Sequence, residues 1–235
     1  MHLRSFTTGI LLCLVVALQG QSQLVRNFYK DIQVFGGVGT TSYFGDVGGK
    51  DSKIVGARAV FDNLDIDLWQ VRSMVTAGIR INPFKNTAFT FQLSPVYLSG
   101  NDQRSNYESR GYSFNTWVVE GSFLMEFYFA DRITGLAPYA IAGGSAMVYS
   151  FKNNTMLEQS QWYSGNSVIF GLGTRFPSKT RFIHSLDASF HFTTTDFLDG
   201  MNSAKNSKDI FFVLCYKVHF QLYTSWYYDH KGLIR

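Results

Sequence analysis

Cysteine, proline, charge and long apolar runs are all scarce in this chain of 235 residues, and each scarcity removes a class of protein. Of two cysteines, Cys13 lies in an N-terminal apolar run and Cys215 stands alone beyond it. A disulfide-stapled framework is therefore excluded for the chain after that run. The basic excess is 21 − 17 = +4, and only 16% of residues are charged. That balance is too mild to mark a nucleic-acid binder. Past the N-terminal run no stretch reaches the ~20 apolar residues of a spanning helix.

The N-terminus carries His2 and Arg4, then an apolar stretch over residues 10–18, then Gly20, Gln21, Ser22 and Gln23. A basic start, a short apolar run and small residues before a polar one read as a secretory leader over residues 1–22, cut before Gln23. Cys13 sits inside the apolar run, on the wrong side for lipid attachment. Residues 23–235 then form one domain of the all-β size, and losing Arg4 takes the charge to 20 − 17 = +3.

What is abundant is aromatic. Thirteen Tyr and 22 Phe bring the aromatic share to 17%, yet only 4 Pro occur and mean hydropathy is −0.03. A soluble sandwich buries its aromatics on inner faces and has no room for so many. A transmembrane barrel turns an apolar face to lipid along every strand and keeps a polar lumen, which gives both values together. Alternation supports this, clearest over residues 210–222, where Ile210, Phe212, Leu214, Tyr216, Val218 and Phe220 oppose Lys217, His219 and Gln221. Residues 117–129 and 71–81 alternate likewise. Further candidate strands are 31–44, 88–98, 137–150, 167–176 and 181–193, so the spacing predicts an antiparallel transmembrane barrel of about eight strands.

Connections alternate in length as well. Residues 83–87, 131–136 and 177–180 are short turns, whereas 45–68, 99–112, 151–164 and 194–208 read as long polar loops. Short periplasmic turns and long external loops are the rule for such barrels. Aromatic belts are expected from Tyr43, Trp69, Tyr97, Tyr112 and Tyr149 at the outer end and from Tyr29, Tyr128, Tyr223, Trp226 and Tyr227 at the inner.

The glycine pairs 36–37, 143–144 and 171–173 carry no following Lys-Ser or Lys-Thr and open no helix, so they relieve crowding in a narrow lumen rather than cradle phosphate. Charges enclosed there need partners. The inward face is expected to hold Arg80, Glu120, Glu126, Arg175, Arg181, Asp187 and Lys217 as a salt-bridged plug. Glu126 is placed at the depth of Arg80, Arg175 and Arg181, and Glu120 at the depth of Asp187 and Lys217. The nearest catalytic arrangements are His184 with Ser185 and His191 with Thr193. His184 shares the lipid face with Phe182, Leu186 and Phe190, so it cannot serve the inward Ser185 as a base. Asp62, Asn63, Asp65 and Asp67 form half a calcium loop without its glycine and closing glutamate. No catalytic residue, metal ligand or cofactor motif is assigned.

Several strings resemble the PorG-like outer-membrane barrels of Bacteroidota: "GTTSYFGDVG" (39–48), "YLSGND" (97–102), "SFNTWVVEGSFLMEFYF" (113–129), "APYAIAGG" (137–144) and "FHFTTTDFLDG" (190–200). They span nearly the whole chain beyond the leader. Phe197 stands where the family usually has tyrosine, and residues 224–235 extend past the expected end of the last strand. The resemblance implies a structural component of type IX secretion and gliding in the outer membrane, associated on its periplasmic side with a ring lipoprotein. Residues on that side are basic and aromatic, which makes Lys85, Arg132, Lys179, Trp226, Tyr227, Tyr228 and Lys231 the candidate docking set beside outer-membrane lipid.

Overall fold

The computed structural model describes residues 32–44, 71–84, 86–101, 111–130, 136–153, 161–176, 178, 181–200 and 208–222. Eight strands make up the fold: β1 (Ile32–Phe44), β2 (Arg72–Phe84), β3 (Thr87–Asn101), β4 (Ser113–Tyr128), β5 (Ala137–Asn153), β6 (Tyr163–Phe176), β7 (Phe182–Thr193) and β8 (Ile210–Gln221). Each pairs antiparallel with its sequence neighbours, and β1 closes on β8 from Gln33↔Gln221 to Phe44↔Ile210. Closure leaves no unpaired edge, which a sheet in contact with hydrocarbon requires.

Burial alternates residue by residue, as in β4, where Phe114, Thr116, Val118, Glu120, Ser122, Leu124, Glu126 and Tyr128 are buried and every residue between them is at least partly exposed. The exposed positions are apolar: Trp117 is 58% exposed and Leu172 63%, while Arg80 and Glu120 are at 0%. Polar groups inside and large apolar side chains outside invert a soluble barrel, and only lipid can cover such an exterior. Strands of 12 to 17 residues exceed the ~9–11 needed to span the hydrocarbon.

Two local features follow from residue chemistry. The β2–β3 ladder, whose register shifts between Ile81 and Phe84, keeps register from Met74↔Val96 to Ala77↔Leu93 but skips the pairs between them, at the level of Pro95, which has no N–H to donate. The Ser94 hydroxyl donates to Thr76 Oγ1 there instead, at 2.8 Å. Second, inward glycines are matched to bulky neighbours. A Cβ on Gly37 would lie 2.9 Å from the Lys217 and Thr76 side chains, and one on Gly173 would meet the Tyr139 ring and lie 2.7 Å from Asp187 Oδ1. Gly36 faces outward with nothing within 4 Å.

Several expectations change. β3, β5 and β6 run further toward the outer side than the alternation alone suggests, so part of 99–112 and of 151–164 is strand. Tyr43, Tyr128 and Tyr149 do not join the aromatic belts. They share the inward parity of Thr41, Glu126 and Ser145 and are buried in the lumen. Tyr97 does face outward, packed on Trp117 with ring centroids 4.9 Å apart. Trp69, Tyr29, Tyr223, Trp226 and Tyr227 lie outside the described residues.

Candidate functional site

The lumen is filled in layers. Toward the outer end Tyr43, Met74, Leu98, Phe114, Val118, Met147, Phe151, Phe211 and Val213 form an apolar cluster, and Leu124, Tyr128, Tyr139, Ile141 and Ile169 form a second, separate one. Inward parity puts these residues on seven of the eight walls of a cavity only wide enough for side chains, so they meet across it.

Charged groups are threaded among the apolar ones as hydrogen-bonded pairs. Arg80 pairs with Glu126, which also accepts from the Thr90 hydroxyl at 2.7 Å and the Tyr128 hydroxyl at 3.0 Å. The Arg80 guanidinium lies over the Tyr128 and Tyr139 rings, 5.4 and 5.8 Å from their centroids. Lys217 pairs with Asp187 at 2.8 Å, donates to Gln92 at 2.9 Å and sits 5.1 Å above the Phe35 ring. Tyr139 donates to Asp187 as well. Low polarity strengthens each of these interactions and makes each partner costly to remove.

Two placements differ from the expectation. Glu120 does not join Asp187 and Lys217. It accepts from Ser145 at 2.5 Å and Ser167 at 3.2 Å and meets His191 Nδ1 at 3.0 Å. Arg181 is no member of the lumen network: it precedes β7 and is exposed, because inward parity at the end of a strand points into open water at the mouth. Arg175 is buried at the end of β6. Lys85, Arg132, Lys179, Trp226, Tyr227, Tyr228 and Lys231, the docking candidates, all lie outside the described residues, as do residues 62–67.

Hydroxyl and imidazole pairs occur in the lumen that sequence reasoning did not find. Ser185 meets His219 Nε2 at 2.9 Å, while His184 sits on the outer face against the Tyr216 hydroxyl at 2.6 Å. Ser189 meets His191 Nε2 at 3.1 Å, so Ser189, His191 and Glu120 stand in the order of nucleophile, base and orienting acid. The signal was available, since Ser189 and His191 are two residues apart on one face of β7. Ser189 is nevertheless 7% exposed, and the Phe211 ring stacks on His191 at 4.5 Å. The Phe211 ring covers one face of the imidazole and both its nitrogens are bonded, one to Ser189 and one to Glu120 Oε1, so the group partners a buried carboxylate.

The outer mouth holds the largest departure from the sequence reading. Residues 194–208 read as a solvated loop, yet 194–200 turn back over the barrel. Leu198 is fully buried in the outer cluster, and Phe197 packs edge-on against Phe151 and Tyr163 at 5.0 and 5.4 Å. The Thr116 hydroxyl donates to the Leu198 carbonyl at 2.5 Å, and the Leu198 amide donates to Asp209 Oδ2 at 2.8 Å. Gly200, with φ of 76°, turns the chain against the Phe151 ring.

No protein-family model matches the chain, and no curated protein does. Among solved structures it is similar to Neisserial surface protein A, at 9% identity and a TM-score of 0.49 over 81% of this chain and 97% of that one. It is similar also to Ail, the attachment invasion locus protein of Yersinia pestis, at 12% identity and 0.46 over 82% and 99%. The outer membrane protein OprG from Pseudomonas aeruginosa gives 9% and 0.46 over 83% and 97%. At such identities no residue's role passes to this chain. The eight closed ladders, not these neighbours, establish its architecture.

Proposed function

We propose that this chain is an outer-membrane β-barrel, delivered by a cleaved leader over residues 1–22, that acts without catalysis as a scaffold of type IX protein secretion. On this reading its periplasmic rim docks a ring lipoprotein. The supporting observation is the filled lumen. Among the described residues, apolar layers and paired charges occupy the interior, which leaves the rims as the surfaces for function. The sequence resemblance supplies the machinery, and the basic and aromatic residues Lys85, Arg132, Lys179, Trp226, Tyr227, Tyr228 and Lys231 supply the contact.

A pull-down from detergent-solubilised outer membranes tests this, with the full chain and with a chain lacking residues 228–235. The full chain is expected to retain a periplasmic lipoprotein, and the shortened one to keep its heat-modifiable gel mobility but lose most of that partner. Equal recovery from both removes the tail from the interface, and no lipoprotein from either refutes the scaffold. A second reading, a stand-alone barrel binding through its external loops, is favoured by β4 and β5, whose 16 and 17 residues exceed what the bilayer needs and whose ends at Ser113 and Asn153 lead into external connections. Retention of no periplasmic protein together with loop-dependent binding of cells or matrix would support it.

A further inference from the structure

Residues 194–200 form a strap across the outer mouth, and one carboxyl holds its centre. Asp209, immediately before β8, accepts from the Tyr43 hydroxyl and, at 2.8 Å, from the Leu198 amide. Its backbone pairs with the root of the strap: the Thr193 amide donates to its carbonyl at 3.0 Å, and its own amide donates to the Thr195 carbonyl at 3.2 Å. Among the described residues, the groups facing Asp209 are Tyr43 from β1, Tyr149 from β5, and Asp199 and Asp196 from the strap itself. All are acids or phenols. Lys208, its chain neighbour, is exposed. Asp199 and Asp209 are 1% and 2% exposed, and Asp199 reaches the same Tyr43 hydroxyl. Two carboxyls thus share one phenol in a water-poor corner, where a second negative charge is costly.

We propose that Asp209 is a proton-operated latch, which keeps the strap seated over the lumen while its carboxyl carries a proton and releases the strap when it ionises. Burial raises this carboxyl most, the bonds from Tyr43 and Leu198 pull it back and Asp199 and Asp196 push it up, which together take it from 3.8 to about 7. The sign follows from linkage. A group with a raised value in the closed state supports that state fully below its open-state value and loses the support as pH rises to the closed-state value. The strap therefore holds below about pH 4, loosens progressively up to about 7 and changes little above that.

Cys215 reports on this, because it is 1% exposed within the apolar cluster that the strap covers. Maleimide alkylation of Cys215, read by peptide mass in the full chain in lipid vesicles, is compared between the parent and Asp209→Asn from pH 5 to 8.5. Thiolate formation raises both rates alike and cancels in their ratio. That ratio is expected to rise about tenfold per pH unit from 5 to 7 and then level off. A ratio independent of pH overturns the latch. If Asp209→Asn fails to assemble or Cys215 stays unreactive, hydrogen exchange of the parent's Leu198 amide, corrected for intrinsic base catalysis, decides. Protection falling between pH 5 and 7 supports the latch, and constant protection refutes it.

Discussion

Replacing Glu126 by Gln isolates the value of the buried ion pair. Glu126 is 3% exposed and takes three donors, Arg80, Thr90 and Tyr128, while Arg80 is at 0%. Gln keeps the shape but removes the charge and turns one acceptor into an NH2 group. Arg80 is then a buried cation without its counter-ion, a situation that costs about 3–5 kcal/mol. At about 1.4 kcal/mol per decade, this lowers the folding equilibrium constant by about two to three and a half decades. Urea titration of protein refolded in lipid vesicles, followed by heat-modifiable gel mobility, measures it. The companion Arg80→Met with Glu126→Leu removes both charges and is expected to recover most of the loss, since apolar replacements of a whole buried pair are often neutral or better. A Glu126→Gln midpoint equal to the parent's, or a double variant worse than the single, would refute the argument that pairing sets the stability of the lumen.

On the outer face, Val75 is 55% exposed to lipid, so Val75→Arg is expected to cost roughly 2–4 kcal/mol in the same titration while Ser122→Thr inside the barrel changes little. Gly37→Leu must displace Lys217 or Thr76 and is expected to cost 1–3 kcal/mol or more, whereas Gly36→Leu meets open space and should assemble normally; equal behaviour would reverse the facing of β1. Planar-bilayer recordings of the parent near neutral pH are expected to show no sustained conductance, and large steady channels would show that the lumen is not filled.

Strand positions and faces were legible in the sequence, because a period of two in side-chain direction is a local property of extended chain. Lys217 and His219 against Tyr216 and Val218, or Glu120 and Glu126 against Trp117 and Phe123, declare their sides without reference to any other strand. Depth is another matter. Which inward charge meets which depends on the stagger accumulated around the closed barrel, a quantity that belongs to all eight ladders at once and to no single segment. This is why Glu120 could not be assigned to His191 and the two serines from β5 and β6, and why Arg181, inward by parity, proved to stand at the open mouth. The strap over the outer end was hidden for a different reason. Its composition is that of a solvated loop, and burial becomes affordable only because Thr116, Asp209 and Tyr43, brought from three other strands' ends, satisfy polar groups around Leu198 that would otherwise need water.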